Sequence, residues 1–214
     1  MELLVWGAGG HAAVIADIAV LSGKTVVGFI DDSQNERVGS TWCNKPVFDL
    51  PTAESLIRNG VRHAAVAIGN PRIRLAKAEI LNSWGSQLAT LVHPRAIVAE
   101  SAILGEGTVV CAGAVVQPLA RLGTLCIVNT LASVDHECEL AGAVHLCPGV
   151  HLGGHVKAGM GAWVGIGTTV RDRIHLGEWC LIGAGSTVVN DIAANVLSFG
   201  VPATLRGRSP YENA

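Results

Sequence analysis

From Leu91 the sequence divides into groups of six, beginning LVHPRA, IVAESA, ILGEGT and VVCAGA, and it reaches TVVNDI at 187–192 without insertion or deletion. The second place of these seventeen hexads is Leu, Ile or Val in every case but one, Ala158. Side chains alternate between the faces of a strand, so the second place points inward when a strand opens each hexad. The sixth place is small or β-branched and the third is often Gly. This period predicts a parallel β-helix.

The same spacing fixes the shape of the predicted helix. Three hexads make a triangular coil of 18 residues, so seventeen hexads give just under six coils, stacked at about 4.8 Å. Resemblance to other hexapeptide-repeat proteins implies left-handed coiling, an exception to the usual right-handed crossover. Cysteines at sixth places, namely Cys126, Cys138 and Cys180, are interpreted as small core residues.

Composition excludes several classes of protein. The chain of 214 residues has 15 Lys and Arg against 17 Asp and Glu, so it lacks the basic surface that nucleic acid requires. Half of its residues are hydrophobic, which argues against disorder. The N-terminus carries no signal-peptide pattern and no apolar stretch approaches the roughly 20 residues of a membrane span. With six cysteines but no C-x-x-C pair, we expect a cytoplasmic protein with reduced thiols.

The residues before the hexads have a different pattern. A strand over 2–6, a Gly-rich turn over 7–11, a helix over 12–21 and a strand over 25–30 make a βαβ unit. A third strand over 64–68 precedes Pro71, which is well placed to open a helix. We predict an α/β, Rossmann-like half domain over 1–85, the β-helix over 91–192 and a C-terminal tail over 193–214.

The Gly-rich turn has the composition of an anion-binding loop. Gly7-x-Gly9-x-x-Ala12, followed by Asp31, suits a phosphate at a helix N-terminus. One mononucleotide half fits a mononucleotide or nucleotide-sugar better than NAD. His11 would then face the ligand. A purely structural strand-to-helix turn is the alternative.

Four histidines, His136, His145, His151 and His155, fall within 20 residues in the middle of the hexads. His136 stands between Asp135 and Glu137, and a neighbouring carboxylate stabilises an imidazolium, so His136 is a candidate general base. A zinc site is the second interpretation, although the spacing of His151 and His155 does not match that of β-helical carbonic anhydrases. The third interpretation is that these histidines are polar residues at outward-facing surface positions, and it is favoured for His151, His155 and His175.

The whole chain resembles the bacterial sugar O-/N-acyltransferases of the PglD and NeuD type. The resemblance rests on six motifs in order: Gly7 to His11, Asp31-Asp32, Ile68-Gly69-Asn70, Asn129-Thr130, His136-Glu137-Cys138 and Gly200-Val201-Pro202-Ala203. It implies a homotrimer that uses acetyl-CoA to acetylate the amino group of a nucleotide-linked amino-dideoxy sugar, with active sites between subunits. A sialic-acid-type sugar O-acetyltransferase is the alternative.

The resemblance also implies residue roles. His136 would be the general base and Glu137 the carboxylate that tunes it, with no metal. Nucleotide-sugar contacts would be made by Gly9, Gly10, His11, Asp31, Asp32 and Gly69. Acetyl-CoA contacts would be made by His145, Gly154, Ile166 and Ala184. Transfer would be direct, since a Cys138 nucleophile at an inward sixth place would be hidden. A scaffold that lost catalysis would need neither His136 nor Glu137.

One outward column of the hexads is apolar. It takes the first place of every third hexad and reads Leu91, Val109, Ile127, His145, Trp163 and Leu181. A long exposed apolar stripe is normally covered. We therefore expect this column to lie at the subunit interface, where it would bring His145 near His136 of a neighbour.

Overall fold

The N-terminal half of the fold is a six-stranded sheet with helices. The computed structural model describes residues 1–32 and 37–211. The strands here are β1 (Glu2–Trp6), β2 (Thr25–Ile30), β3 (Thr41–Trp42), β4 (Lys45–Phe48), β5 (His63–Val66) and β6 (Gln87–Leu88), and the helices are α1 (Gly10–Leu21), α2 (Leu50–Arg58) and α3 (Pro71–Ser83). The sheet order is β3-β4-β2-β1-β5-β6, parallel except for the β3–β4 hairpin.

The predicted βαβ unit is confirmed, with α1 starting two residues earlier than expected. Helix α3 opens at Pro71, as predicted, and the Asn70 side chain accepts hydrogen bonds from the N–H groups of Arg72 and Ile73 at 3.0 and 3.3 Å. This cap satisfies two of the donors that a helix N-terminus leaves unpaired. Asn70 of the Ile-Gly-Asn motif therefore has a structural role.

Every hexad begins with a two-residue strand. These strands are β7 (Leu91–Val92), β8 (Ile97–Val98), β9 (Ile103–Leu104), β10 (Val109–Val110), β11 (Val115–Val116), β12 (Arg121–Leu122), β13 (Ile127–Val128), β14 (Ser133–Val134), β15 (Glu139–Leu140), β16 (His145–Leu146), β17 (His151–Leu152), β18 (Lys157–Ala158), β19 (Trp163–Val164), β20 (Thr169–Val170), β21 (His175–Leu176), β22 (Leu181–Ile182) and β23 (Thr187–Val188). Each pairs in parallel with the strand one coil away, which forms three sheets. The predicted β-helix is confirmed.

The first sheet contains β7, β10, β13, β16, β19 and β22, the second begins at β8 and the third at β9. Residues at second and sixth places form the core of the β-helix. The core includes the three sixth-place cysteines, each at 0% exposure. Burial raises the pKa of Cys126 and Cys138 to about 11 and that of Cys180 to about 12. Their interpretation as core residues is confirmed.

The corners are built by backbone in the left-handed region. In fourteen of the seventeen hexads the fifth place has positive φ, and eight of those fourteen residues are not Gly. The N–H of Glu137, at such a place, donates to the carbonyl of Pro118 in the coil before, and His155 donates in the same way to His136. These inter-coil bonds stabilise a conformation that L-residues otherwise disfavour.

The apolar column of the first sheet is covered by the chain itself. Leu91 and Val109 pack in one cluster with Leu3, Val5 and Ile15 of the N-terminal domain. Ile127 and His145 of the same column are also buried. The expectation of a subunit interface is therefore wrong for these four residues, because the tethered domain already removes them from water. Trp163 and Leu181 are half-buried.

The tail continues the first sheet. Strand β24 (Val196–Gly200) adds in parallel to β22, and β25 (Ala203–Arg208) folds back on it antiparallel through the Gly-Val-Pro-Ala motif. Beyond the hairpin, the backbone carbonyl of Tyr211 accepts a hydrogen bond from Arg72 at the start of α3. Among the residues described, none of the helices combines the length and apolarity that crossing a membrane would require.

Candidate functional site

A cavity of about 390 Å³ opens at the carboxyl ends of β1, β2 and β5. This edge is where parallel α/β sheets bind ligands. The lining residues are Trp6, Gly7, Ala8, Gly9, Asp31, Asp32, Arg37, Ala67, Ile68 and Gly69. Four of the six predicted substrate contacts lie in this lining, whereas Gly10 and His11 begin α1 beside it.

The turn over this cavity needs Gly at one position. Gly7 has φ +117°, and a Cβ there would lie 3.1 Å from the carbonyl oxygen of Ala67. Gly9 and Gly10 have open space where a Cβ would be. The turn therefore brings bare backbone to the cavity just before the N-terminus of α1, an arrangement that favours an anion.

The two aspartates of the cavity differ in their partners. Asp32 accepts a hydrogen bond from the Trp6 indole at 3.1 Å and pairs with Lys77. Burial alone would raise the pKa of Asp32, but the hydrogen bonds from Lys77 and Trp6 outweigh it and hold the pKa below the ordinary value. Asp31 is almost fully buried, and its N–H donates to the Phe48 carbonyl.

Arg37 is a lining residue that the sequence reasoning missed. Its guanidinium donates to the Ala8 carbonyl of the turn and lies 4.3 Å from the centre of the Trp42 ring. It brings a positive charge to a cavity that otherwise contains carboxylates. A lone basic residue shortly after Asp31-Asp32 is the only signal for it in the sequence.

Two histidines meet where the N-terminal domain lies on the first sheet. The rings of His11 and His145 are 6.2 Å apart, and His145 Nδ1 is 3.4 Å from the carbonyl oxygen of Gly69. Nε2 of each ring is buried without a hydrogen-bond partner. Burial, followed by the charge of Arg74, lowers the pKa of His11 to about 4 and that of His145 to about 3. Both imidazoles are therefore neutral at pH 7.

Arg74 joins the two domains beneath these rings. Its guanidinium is almost fully buried and donates to the carbonyls of Ile68, Gly69, Leu125 and Ala143 at 2.7–3.0 Å. Burial lowers the pKa of Arg74 to about 10. Arg74 thus fixes the cavity wall against two successive coils.

His136 stands at the corner between the second and third sheets. Its Nδ1 is 3.1 Å from Oε2 of Glu137, and the two side chains are 51% and 47% exposed. The backbone N–H of His136 donates to the carboxylate of Asp135 at 2.7 Å. The structure thus places an accessible imidazole against a carboxylate, as the sequence predicted.

Gly154 lies one coil further along, opposite the ring of His136. A Cβ there would approach Cε1 and Nε2 of His136 to 2.6 and 2.7 Å. Gly154 therefore makes room for the imidazole. The predicted cofactor contacts Ile166 and Ala184 are exposed and stacked one coil apart at another corner, between the first and second sheets.

His155 is not an isolated surface residue. Its Nε2 is 3.4 Å from the same oxygen of Glu137, and its ring meets that of His136 edge-on at 5.1 Å. Donor atoms of His136, Glu137 and His155 lie within 4.8 Å of one another, a group that could hold a cation. A hydrogen bond from His136 and an ion-pair contact with His155 account for both short distances without a cation. By contrast, His151 is exposed and contacts Ser133 at 2.8 Å, and His175 is exposed.

The His136–Glu137 pair and the cavity face different directions in one chain. The N-terminal domain covers the first sheet, whereas His136 lies at the corner between the other two. In a triangular section this corner is opposite the first sheet. A ligand in the cavity therefore cannot reach His136 of the same chain.

Known proteins share both the fold and the order of domains. Residues 2–81 match the family model described as the PglD N-terminal domain. The acetyltransferase domain of PglB from Neisseria gonorrhoeae FA1090 is 36% identical, with a TM-score of 0.86 over 96% of this chain and 99% of that chain. The chain belongs to the PglD/NeuD-type sugar acetyltransferase family.

Two further solved structures are similar to this chain. PerB from Caulobacter crescentus, in complex with CoA and GDP-perosamine, is 35% identical with a TM-score of 0.91 over 97% of this chain and 98% of that chain. WeeI from Acinetobacter baumannii AYE, at 22% identity and a TM-score of 0.82 over 96% of this chain and 100% of that chain, shares the fold. A comparison with curated proteins gave no match. The predicted PglD/NeuD resemblance and the left-handed β-helix are confirmed.

Proposed function

We propose that this chain transfers the acetyl group of acetyl-CoA to the amino group of a nucleotide-linked amino-dideoxy sugar of the 4-amino-4,6-dideoxy type. The observation that carries the proposal is the exposed His136 imidazole held against Glu137 at 3.1 Å, which suits removal of a proton from an amine. A related enzyme of 34% identity is a GDP-perosamine N-acetyltransferase solved with CoA and GDP-perosamine.

The nucleotide-sugar occupies the N-terminal cavity. Gly9, Gly10 and the α1 N-terminus face the diphosphate, and Asp31, Asp32 and Gly69 line the remaining wall, with His11 beside it. Arg37 supplies positive charge there, since Lys77 is already paired with Asp32. The shape of the cavity at the strand ends supports a mononucleotide-sized ligand.

Acetyl-CoA lies along the outside of the β-helix. Ile166 and Ala184 form an exposed ridge flanked by glycines. Of the other two predicted contacts, Gly154 lies at the corner of His136 and His145 is buried beside the N-terminal domain, so neither belongs to this ridge. Exposed backbone between glycines supports close approach of a flat, extended ligand.

The proton arrangement follows from Glu137. An ionised carboxylate only accepts hydrogen bonds, so Nδ1 of His136 carries the hydrogen and Nε2 keeps a lone pair. Nε2 takes the proton of the amine as the amine nitrogen attacks the thioester carbonyl carbon. The tetrahedral intermediate then collapses, the C–S bond breaks, and the CoA thiolate takes the proton back from His136.

A covalent intermediate on Cys138 does not fit the site. The thiol is fully buried in the core and donates to the Gly153 carbonyl at 3.2 Å. Burial raises the pKa of Cys138 to about 11, so the thiol is protonated at pH 7. A nucleophilic cysteine needs the thiolate and access to substrate, which supports direct transfer.

The working form is a homotrimer with active sites between subunits. The corner of His136 is opposite the sheet that carries the N-terminal domain, so the base of one subunit serves the cavity of a neighbour. Closed cyclic symmetry gives every subunit the same pair of contacts.

The test is an assay of CoA-thiol release with acetyl-CoA and a panel of UDP-, dTDP- and GDP-linked 4-amino-4,6-dideoxy sugars and free sialic acid. We expect turnover of one nucleotide-amino-sugar, lowered about 100-fold or more in His136→Ala because the general base is lost. The matched control is His151→Ala, which removes an exposed imidazole from β17. Turnover of sialic acid alone would instead establish the O-acetyltransferase, and full activity of His136→Ala would remove the base from the mechanism.

A further inference from the structure

Glu137 is in contact with two imidazoles, of which the mechanism above uses one. Its Oε2 is 3.1 Å from Nδ1 of His136 and 3.4 Å from Nε2 of His155. We propose that His155 is a positioning residue, which holds the Glu137 carboxylate in the orientation that serves His136. The inference rests on the proposed function of His136.

The coil geometry explains why these side chains meet. His155 follows Glu137 by one full coil, and both occupy the fifth place of a hexad with φ near +57°. Equivalent places lie directly above one another, about 4.8 Å apart. The same rise places Gly154 above His136, and because Gly154 has no side chain, the two imidazoles approach to 5.1 Å at an interplanar angle of 87°.

The contact defines hydrogen positions on both rings. A carboxylate oxygen accepts but does not donate, so each ring nitrogen that faces it carries a hydrogen. His136 is therefore the Nδ1–H tautomer and His155 presents Nε2–H. Oε2 of Glu137 thus accepts a hydrogen bond from its sequence neighbour and lies at ion-pair distance from Nε2 of His155 in the next coil.

A second donor matters because this carboxylate is half exposed. The Glu137 side chain is 47% exposed, and an exposed Glu side chain has several rotamers to lose. Other nearby charges are already engaged: Asp135 accepts from the His136 backbone N–H, and Asp172 lies 3.7 Å from Arg173. His155 is thus the donor from the adjacent coil that restricts the carboxylate.

The test is a comparison of steady-state constants for two substitutions of His155. Asn is too short to reach the carboxylate but tolerates positive φ, so we expect His155→Asn to lower kcat about tenfold, which corresponds to about 1.4 kcal/mol. We expect KM for both substrates to change less than about twofold. His155→Gln retains an N–H donor of similar reach and should recover kcat to within about threefold of the native enzyme.

A double-mutant cycle separates positioning from a general structural effect. If His155 acts through Glu137, the Glu137→Gln enzyme and the Glu137→Gln/His155→Asn enzyme should differ in kcat by less than about twofold. The proposal would be overturned if the losses of kcat from the two single substitutions multiply in the double variant. Native kcat in His155→Asn would overturn it as well. Absence of turnover in the native protein would instead contradict the proposed function itself.

A readout independent of turnover is the ¹⁵N spectrum of histidine-labelled protein. We expect His155 to carry a hydrogen on Nε2, with its Nε2 signal shifted by Glu137→Ala. The matched control is His151, whose Nδ1 contacts Ser133 at 2.8 Å and whose signals should not move. A His155 signal unaffected by Glu137→Ala would also overturn the proposal.

Discussion

Single residues of the site could be predicted from sequence where their partners are sequence neighbours. His136 and Glu137 are adjacent, and their contact at 3.1 Å is the one that adjacency indicates. Arg74 could not be recognised, because its four acceptors are carbonyls from both domains and carbonyls have no sequence signature. His155 was interpreted as a surface residue because its partner is 18 residues away, and its corner position was not recognised.

The buried histidines predict a dependence of stability on pH. The pKa of His145 is about 3 and that of His11 about 4 in the folded chain, whereas both titrate near 6.5 when unfolded. The unfolded chain therefore binds more protons between these values, so stability is fully present above about pH 6.5 and falls toward pH 4. We expect the free energy of unfolding to drop by about 3–4 kcal/mol from pH 7 to pH 5, roughly half of it from each imidazole.

Urea unfolding at pH 7, 6 and 5 measures this drop, and His145→Gln should reduce it by about half because one of the two buried imidazoles is removed. His151→Gln, at an exposed position, should leave it unchanged. Equal pH dependence in His145→Gln and the native protein would show that His145 protonates as readily when folded as when unfolded.

At the level of elements, the hexads predicted all seventeen strands, because the apolar second place that repeats in the sequence is buried in fourteen strands and partly buried in the first three. The corners were less evident, since their shared property is a backbone angle that eight non-Gly residues adopt through inter-coil hydrogen bonds. The β3–β4 hairpin shows no clear alternation of apolar residues, whereas α2 has apolar residues at helical spacing, Leu50, Ala53 and Ile57, which our prediction did not use. The pairing of Thr41 with Pro46 in that hairpin depends on tertiary contacts, which the local sequence does not indicate.

Gly154 allows the corner of His136 to be tested without changing a catalytic group. In Gly154→Ala the new Cβ would lie 2.6 Å from the His136 ring, so the ring must move from Glu137 while the coil backbone is kept. We expect kcat to fall about 10- to 100-fold, because misplacement of a reacting group by about 1 Å has this effect. The free energy of unfolding, measured by thermal denaturation, should change by less than about 1 kcal/mol, since the His136 ring is exposed and can turn away.

The control for this substitution is Gly207→Ala, where nothing lies within 4 Å of the added Cβ. Both variants gain one methyl group, but only Gly154→Ala gains it against an imidazole. Native kcat in Gly154→Ala would mean that the position of the ring in this structure is not the one that acts on substrate.

For the whole molecule, the sequence predicted two modules but misjudged how they fit. The apolar column was correctly recognised as a surface that must be covered. Its cover is the N-terminal domain of the same chain, as the packing of Leu91 and Val109 against Ile15 shows. Hydrophobic pattern identifies a face to be buried, but it does not distinguish a tethered domain from a second subunit.

The assembly proposal predicts complementation between inactive subunits. His136→Ala lacks the base and Asp31→Arg disrupts the cavity, so each homotrimer should be inactive. In a trimer that contains both variants, one of the three sites joins a native His136 to a native cavity, which predicts about a third of native activity. The measurement is the activity of co-expressed protein that carries a different tag on each variant and is purified through both tags. Sedimentation establishes that this protein is a trimer.

Refolding the two variants separately and mixing them without subunit exchange provides the control, and this mixture should remain inactive. Inactive mixed trimers would contradict a site shared between subunits. They would indicate instead that both groups must come from one chain.

The β24–β25 hairpin has a consequence for solubility. A β-helix ends in open strand edges, and the N–H and C=O groups of such an edge can pair with another molecule. Here β24 occupies the edge of β22, and β25 folds back over β24. The coils are nearly identical in cross-section, so an uncovered end would match the end of a second molecule and favour stacking into filaments. The hairpin thus caps the edge of the first sheet against fibre growth, apart from any part in acetyl transfer.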